Sequence, residues 1–285
     1  MMKVVFCTDD RPRYLTLLKV AVRSLRHVMG ADAPCLCVYA GDNANTLRLL
    51  EREHIPVARH TPRISVEGAS REVRSARGCF LKLELALVPE LAQDDYVLYC
   101  DTDVMFLRPL DELFALRPPY MAMAREYTAP FYHEHASLSY ELDGHTYTVP
   151  MPFPIWTYSS GVTLFHLARL RRLRLIDHFL AFSQQNLDRI GNLDQSLLNY
   201  YFGKRITRLE DRWNRPPYHA DCHATAHIVH FHGPKPWEGK KRNWPQAELA
   251  INDFEPMSKL WQTWLSPEER TADCYSFHVP PGPTA

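Results

Sequence analysis

Short apolar segments alternate with segments of helical period up to residue 100, and this alternation constrains the fold more than any other feature of the chain. Val4-Val5-Phe6-Cys7 is an apolar run of strand length that ends in the polar turn Thr8-Asp9-Asp10. Over 14–29 apolar residues recur at Leu18, Val22, Leu25 and Met29, the spacing of one helix face, and Gly30 supplies a stop. Residues 35–40 read as a second strand, 46–53 as a short helix and 55–58 as a third strand. A long helix is expected over 71–88, closed by Pro89, and a buried strand over 96–100. This β-α-β-α-β succession predicts an α/β fold with a Rossmann-like, mostly parallel central sheet and helices on both faces. Ligands of such sheets bind beyond the carboxyl ends of the strands.

The pattern changes after residue 120. Residues 126–160 are rich in aromatics, His and Pro, and 137–142 and 145–149 flank Asp143-Gly144, a pair suited to a two-residue hairpin turn. Insertions of this kind commonly form a binding wall. A strand over 161–166, a basic helix over 168–183, a helix over 193–202 and a strand over 205–209 lead to a His-rich stretch, 219–232. The reading divides the chain into a main domain, 1–240, and a C-terminal extension, 241–285, whose proline-rich end is expected to be disordered.

Composition removes several function classes. The 285 residues carry 33 Lys and Arg against 33 Asp and Glu, without the basic surplus of a general nucleic-acid binder. Apolar residues at 46% and charged residues at 23% suit a soluble chain with a sizeable core. The seven cysteines include no Cys-x-x-Cys pair, and most lie in apolar runs, so a reduced, cytoplasmic protein without a disulfide framework is expected. Lys3 is followed by only four apolar residues before Thr8 and the two aspartates, too few for a signal-peptide core. No charged residue other than His falls between Asp143 and Arg169, but Pro150, Pro152 and Pro154 interrupt that stretch as a membrane helix.

Asp101-Thr102-Asp103 directly follows the strand over 96–100. Carboxylates at i and i+2 on a turn can converge on one divalent cation of the Mg²⁺ or Mn²⁺ type, although such a pair also ends strands with no further role. Phosphatases of the haloacid-dehalogenase type use a similar motif, normally on the first strand. His219, His223 and His227 have the i, i+4, i+8 spacing of a helical zinc site, but His227-Ile228-Val229-His230-Phe231 reads as a strand. One His from that strand joining the two aspartates is the better fit. Leu193-Asp194-Gln195 reads equally as a helix start in which Asn192 caps and Gln195 answers it. Arg169, Arg171, Arg172 and Arg174 read as a solvated helix face, with an anionic acceptor or a membrane surface as the other use. Lys240-Lys241-Arg242 beside Trp244 is similarly ambiguous.

Together these segments resemble glycosyltransferase family 8, which holds glycogenin and bacterial lipopolysaccharide galactosyl- and glucosyltransferases. Four motifs match in order: residues 4–10, Tyr99-Cys100-Asp101-Thr102-Asp103, Leu193-Asp194-Gln195, and residues 228–237. Ser159-Ser160-Gly161-Val162 stands where the family has Asn-x-Gly-Val. The resemblance covers about residues 3–240. It implies a GT-A fold, a UDP-sugar donor, Mn²⁺ or Mg²⁺, retention of anomeric configuration, and transfer of a hexose to a saccharide or glycoconjugate hydroxyl. It places Cys7, Thr8 and Asp9 at the uridine, Tyr14 as a stacking partner and Lys82 near the donor. Asp101, Asp103 and His230 become the metal ligands, with Thr102 and Ser159 lining the donor site. Gly233 and Lys235 approach the diphosphate, and Asp194, Gln195 and Lys235 form the catalytic set. The aromatic insertion then faces the acceptor, with Glu126, Tyr127 and Trp156 as its contacts.

The match has departures. Lys235 lies five residues after His230, whereas the family motif has six, and Ser159 replaces an Asn. His232 has no assigned part. A metal-dependent phosphatase and a non-catalytic carbohydrate-binding protein are the rival readings. A cytoplasmic location is expected, with peripheral contact at the inner membrane surface as its variant.

Overall fold

The computed structural model describes residues 2–126, 136–150, 157–219, 221–233, 235–237 and 254–271. The first half runs β1 (Lys3–Thr8), α1 (Pro12–Met29), β2 (Cys35–Tyr39), α2 (Ala44–Arg52), β3 (Val57–Arg59) and α3 (Arg71–Ser75). A 3₁₀ segment, Arg77–Leu87, then leads to β4 (Tyr96–Cys100), β5 (Val104–Phe106), α4 (Asp111–Phe114) and β6 (Met121–Arg125). The hairpin strands β7 (Ser137–Leu142) and β8 (His145–Pro150) precede β9 (Tyr158–His166), α5 (Leu167–Arg172), α6 (Leu175–Asn186) and α7 (Leu193–Phe202). The chain continues through β10 (Ile206–Leu209), α8 (Cys222–Thr225), β11 (Ile228–His230), α9 (Phe254–Gln262) and α10 (Pro267–Thr271).

Among the described residues seven strands form one sheet in the order β10-β6-β9-β4-β1-β2-β3. Its pairings are parallel except those of β9, which runs antiparallel to both β4 and β6. The apolar strands are buried on both faces, as a helix-covered sheet requires. Val5, Cys7, Val97 and Tyr99 pack on one side with Phe80, Leu83, Leu170, Phe179 and Leu197. Val4, Phe6, Leu98 and Cys100 point the other way onto Leu18, Val22 and Leu25 of α1. The α/β reading holds, with helices on both faces.

Two expected helices take a different form, and a third lacks its expected cap. The single helix over 71–88 is α3 followed at Arg77 by the 3₁₀ segment. Residues Phe80 to Ala86 are all buried, so this segment has no polar stripe from which a helical period could be read. The basic helix over 168–183 breaks between α5 and α6, where Arg174 takes φ +52. Its arginines are not one solvated face: Arg169 donates to Tyr120 Oη at 3.1 Å, and Arg171 donates to the Asp94 carbonyl at 2.7 Å. Asn192 makes no side-chain cap and instead takes the left-handed conformation before α7.

Residues 254–271 pack onto the main body. Phe254, Met257, Trp261 and Leu265 share a core with Leu17 and Val20 on the outer face of α1. Glu269 ties the two together, accepting from Arg23 at 2.7 Å and pairing with Lys19. Burial opposes ionisation, but the hydrogen bonds from Arg23 and Lys19 prevail and hold the Glu269 carboxyl down at about 2. A folded-state value below the unfolded one, ~4.3, stabilises the fold above that pH and loses its effect as pH falls from about 5 towards 2. Because water screens this half-buried cluster, Glu269→Gln is expected to cost only about 1 kcal/mol at pH 7. Urea melts should show the gap to the parent closing as pH approaches 2. Among the described residues no helix is long and apolar enough to cross a membrane.

Candidate active site

β4 delivers Asp101 and Asp103 to the carboxyl edge of the sheet, on a turn with Thr102 buried between them. The third partner arrives from the distant end of the chain through an antiparallel ribbon. β5 and β11 pair with Val104 opposite His230, and Phe231 N donates to the Asp103 carbonyl at 2.9 Å. His230 Nε2 then lies 3.3 Å from Asp103 Oδ1 and 3.6 Å from Asp101 Oδ2. One potential ligand atom from each residue falls within 4.8 Å of the others.

Two further residues set the imidazole. Asn214 Oδ1 is 2.8 Å from His230 Nδ1 and orients the ring so that Nε2 faces the two carboxylates. A cation held there would have one imidazole nitrogen and two carboxylate oxygens within reach. Gly161 makes room for the ring, since a Cβ built on it would lie 2.0 Å from His230 Cε1. Its carbonyl accepts from Asp101 N at 2.7 Å, so one backbone position serves both ligand-bearing strands. The donor set and the cradle fit a divalent cation with oxygen-rich ligation.

Lys82 is buried behind the aspartates, 2.9 Å from Asp101 Oδ1 and 2.8 Å from Asp194 Oδ2, and it donates to Ser160 Oγ at 3.3 Å. Burial alone would lower its pKa, but Asp101 and Asp194 raise it, and it stays an ammonium. Burial pushes the Asp101 carboxyl up, yet Lys82 and His230 bring it below its ordinary value. Asp194 moves the other way: burial raises its pKa against the pull of Lys82. Ser160 Oγ donates to Asp194 Oδ2 at 2.8 Å, and Ser160 N donates to Gln195 Oε1 at 3.1 Å. Gln195 Nε2 reaches Glu126 Oε2 at 3.4 Å, and His232 Nε2 stands 3.9 Å from Glu126 Oε1 and 3.2 Å from Tyr218 Oη. Burial and His230 push the His232 imidazole down to about 3, leaving it neutral.

A cavity of about 560 Å³ lies on the same edge of the sheet, at the carboxyl ends of β1, β2 and β3. Asp9, Asp10, Tyr39, Arg59, His60 and Arg77 help to line it, a volume and lining suited to a small ligand. Glu84 fixes its far wall, since the buried carboxylate accepts from Arg63 N and Ile64 N and bonds His60 Nε2 at 2.7 Å.

The sequence profile of glycosyl transferase family 8 matches residues 14–241. The chain belongs to glycosyl transferase family 8. Solved structures agree in fold. The galactosyltransferase LgtC in complex with donor and acceptor sugar analogues is 19% identical, with a TM-score of 0.68 over 94% of this chain and 99% of LgtC. An active-site mutant of LgtC superposes with a TM-score of 0.69 at 18% identity and the same coverage. The glycosyltransferase GlyE of Streptococcus pneumoniae TIGR4 is 18% identical, with a TM-score of 0.56 over 92% of this chain and 64% of GlyE. No curated protein sequence matches. The GT-A architecture follows, and this family 8 chain is a glycosyltransferase. The phosphatase reading of Asp101-Thr102-Asp103 falls with it.

Eight of the expected site residues of this family 8 chain meet. Asp101, Asp103, His230, Lys82, Asp194, Gln195 and Lys235 form one contiguous cluster, with Glu126 at its side. Gly233, at φ +87, turns the chain between His232 and Lys235. Asp9 lines the cavity, whereas Cys7 is packed in the core and Thr8 Oγ1 turns to the Asp9 carbonyl. Tyr14 lies under the Arg11 guanidinium, 4.4 Å from the ring centroid. At β9 the hydroxyl that joins the cluster is that of Ser160, bonded to Asp194 Oδ2, while its neighbour Ser159 is buried. His219, His223 and His227 do not gather; His227 Nδ1 bonds the Pro109 carbonyl at 2.9 Å. Tyr127 and Trp156 lie outside the described residues. The sequence gives no signal for Asn214, which lies in no motif, whereas Ser160 and Asp10 lie within matched motifs whose neighbours, Ser159 and Asp9, carry the expected roles.

Proposed function

We propose that the chain moves a hexose from a UDP-sugar to a hydroxyl of a saccharide or glycoconjugate, with a divalent cation, Mn²⁺ or Mg²⁺, and with retention at the anomeric carbon. The observation that carries this reading is the convergence of Asp101, Asp103 and His230 on the sheet edge that also holds a ligand-sized cavity. Those three residues would hold the cation, which when bound supplies Lewis-acid stabilisation of a departing diphosphate. The nucleoside would take the cavity, against Asp9, Asp10 and Tyr39.

The chain's own groups divide the remaining work. Lys235, beside Asp103, adds positive charge on the leaving side. Lys82 holds Asp101 and Asp194 in place. Asp194 Oδ2 already accepts from Lys82 and Ser160, and Gln195 Oε1 accepts from Ser160 N, so both side chains are held to orient the sugar rather than to attack it. The anomeric C–O bond then breaks with its electron pair passing to the diphosphate oxygen. The acceptor hydroxyl attacks on the same face and gives its proton to that oxygen. Holding donor and acceptor together lowers the remaining barrier. Glu126 and His232 border the acceptor side.

The test is UDP release and product stereochemistry, followed by NMR with UDP-glucose and UDP-galactose and ADP-glucose as control. The reading expects release with a UDP-sugar and Mn²⁺, loss on chelation, recovery on adding Mn²⁺ back, and an α-configured product. Metal-independent release or an inverted product would refute it.

A further inference from the structure

Lys235 holds the position that an incoming cation would contest. Its ammonium is ion-paired with Asp103 Oδ2 and donates to the Phe231 carbonyl at 3.0 Å. Asp103 is therefore divided, with Oδ1 facing His230 at 3.3 Å and Oδ2 facing the ammonium. The shortened spacing after His230 favours this contact. Phe231 N is fixed on the Asp103 carbonyl at 2.9 Å, and only three residues separate Phe231 from Lys235. In this state three carboxylates, Asp101, Asp103 and Asp194, meet two ammonium groups, Lys82 and Lys235.

We infer that Lys235 is the counter-cation of Asp103 in the nucleotide-free enzyme, and that it transfers to the donor's diphosphate when a divalent cation takes Asp103. This rests on the metal and UDP reading above. A dication and an ammonium sharing one buried carboxylate repel each other, so each weakens the other's hold. A diphosphate relieves that repulsion by offering the displaced ammonium a new partner. Lys235 would thus penalise metal binding without nucleotide and reward it with nucleotide, and linkage requires metal and UDP to strengthen each other equally.

The experiment measures Mn²⁺ binding to the full chain by electron paramagnetic resonance, without and with UDP, and UDP binding at saturating Mn²⁺ by calorimetry. Lys235→Met and Lys235→Gln are compared with the parent and with Lys235→Arg, which keeps the charge. For both neutral variants the expected result is Mn²⁺ alone binding about tenfold tighter and UDP about tenfold weaker, a coupling of ordinary size. Lys235→Arg should stay near the parent in the first measurement. A residue that only grips diphosphate would leave Mn²⁺ binding without nucleotide unchanged, and a merely structural one would weaken both. Either result overturns the inference while the metal reading stands. A parent that binds no Mn²⁺ even with UDP overturns both.

Discussion

Asp103→Asn is expected to lower metal-dependent transfer by at least about 10³-fold in kcat/KM, as removing a principal electrostatic stabiliser of a leaving group does. The substitution keeps size and shape but removes the charge that faces both His230 and Lys235. Burial works against ionisation of Asp103, and Lys235 and His230 nevertheless hold its carboxyl far below the ordinary range. An amide cannot replace that charge. The backbone bond from Phe231 N to its carbonyl survives the change, so the ribbon should persist. Steady-state kinetics across a Mn²⁺ titration, with circular dichroism as the folding control, checks this. A variant that turns over normally at saturating Mn²⁺ would remove Asp103 from the site.

Gly161→Ala should be the most damaging change of a residue that touches no substrate. The added methyl would sit 2.0 Å from His230 Cε1, 2.6 Å from Nδ1 and 2.7 Å from Nε2, so the ring must leave its place. Moving it also breaks the Asn214 bond that sets the tautomer. Loss of a correctly oriented ligand is expected to weaken Mn²⁺ binding by about 10–100-fold. Overpacking of the buried ring should cost about 1–3 kcal/mol of stability. A Mn²⁺ titration and a urea melt read the two effects separately. Unchanged metal affinity would mean that His230 is not a ligand.

The legible parts of the molecule are those in which a local pattern and the fold coincide. β1, β2 and β4 are apolar runs that the sheet buries on both faces, and Asp143-Gly144 closes the β7–β8 hairpin, whose Leu138 and Tyr140 face inward between exposed neighbours. Asp101 and Asp103 stood out because they end such a run. What periodicity does not carry is strand direction, and the reversed course of β9 was invisible for that reason. Nor does it carry tertiary pairing. The β5–β11 ribbon that brings His230 to Asp103 joins segments more than a hundred residues apart. Arg174 and Asn192 sit at positive φ although neither is glycine, so the helix break and the uncapped start of α7 had no sequence signature. Gly161 falls in the segment that stands for the family's Asn-x-Gly-Val, but its reason for being glycine, an imidazole contributed from elsewhere, is not visible in that segment.

The most direct test of the account is the anomalous scattering of Mn²⁺ in crystals grown with UDP. One strong peak is expected in contact with Asp101, Asp103 and His230 Nε2, together with nucleoside density in the cavity bounded by Asp9 and Tyr39. Manganese bound elsewhere, or a nucleotide seated with no ion between it and those three side chains, would contradict it.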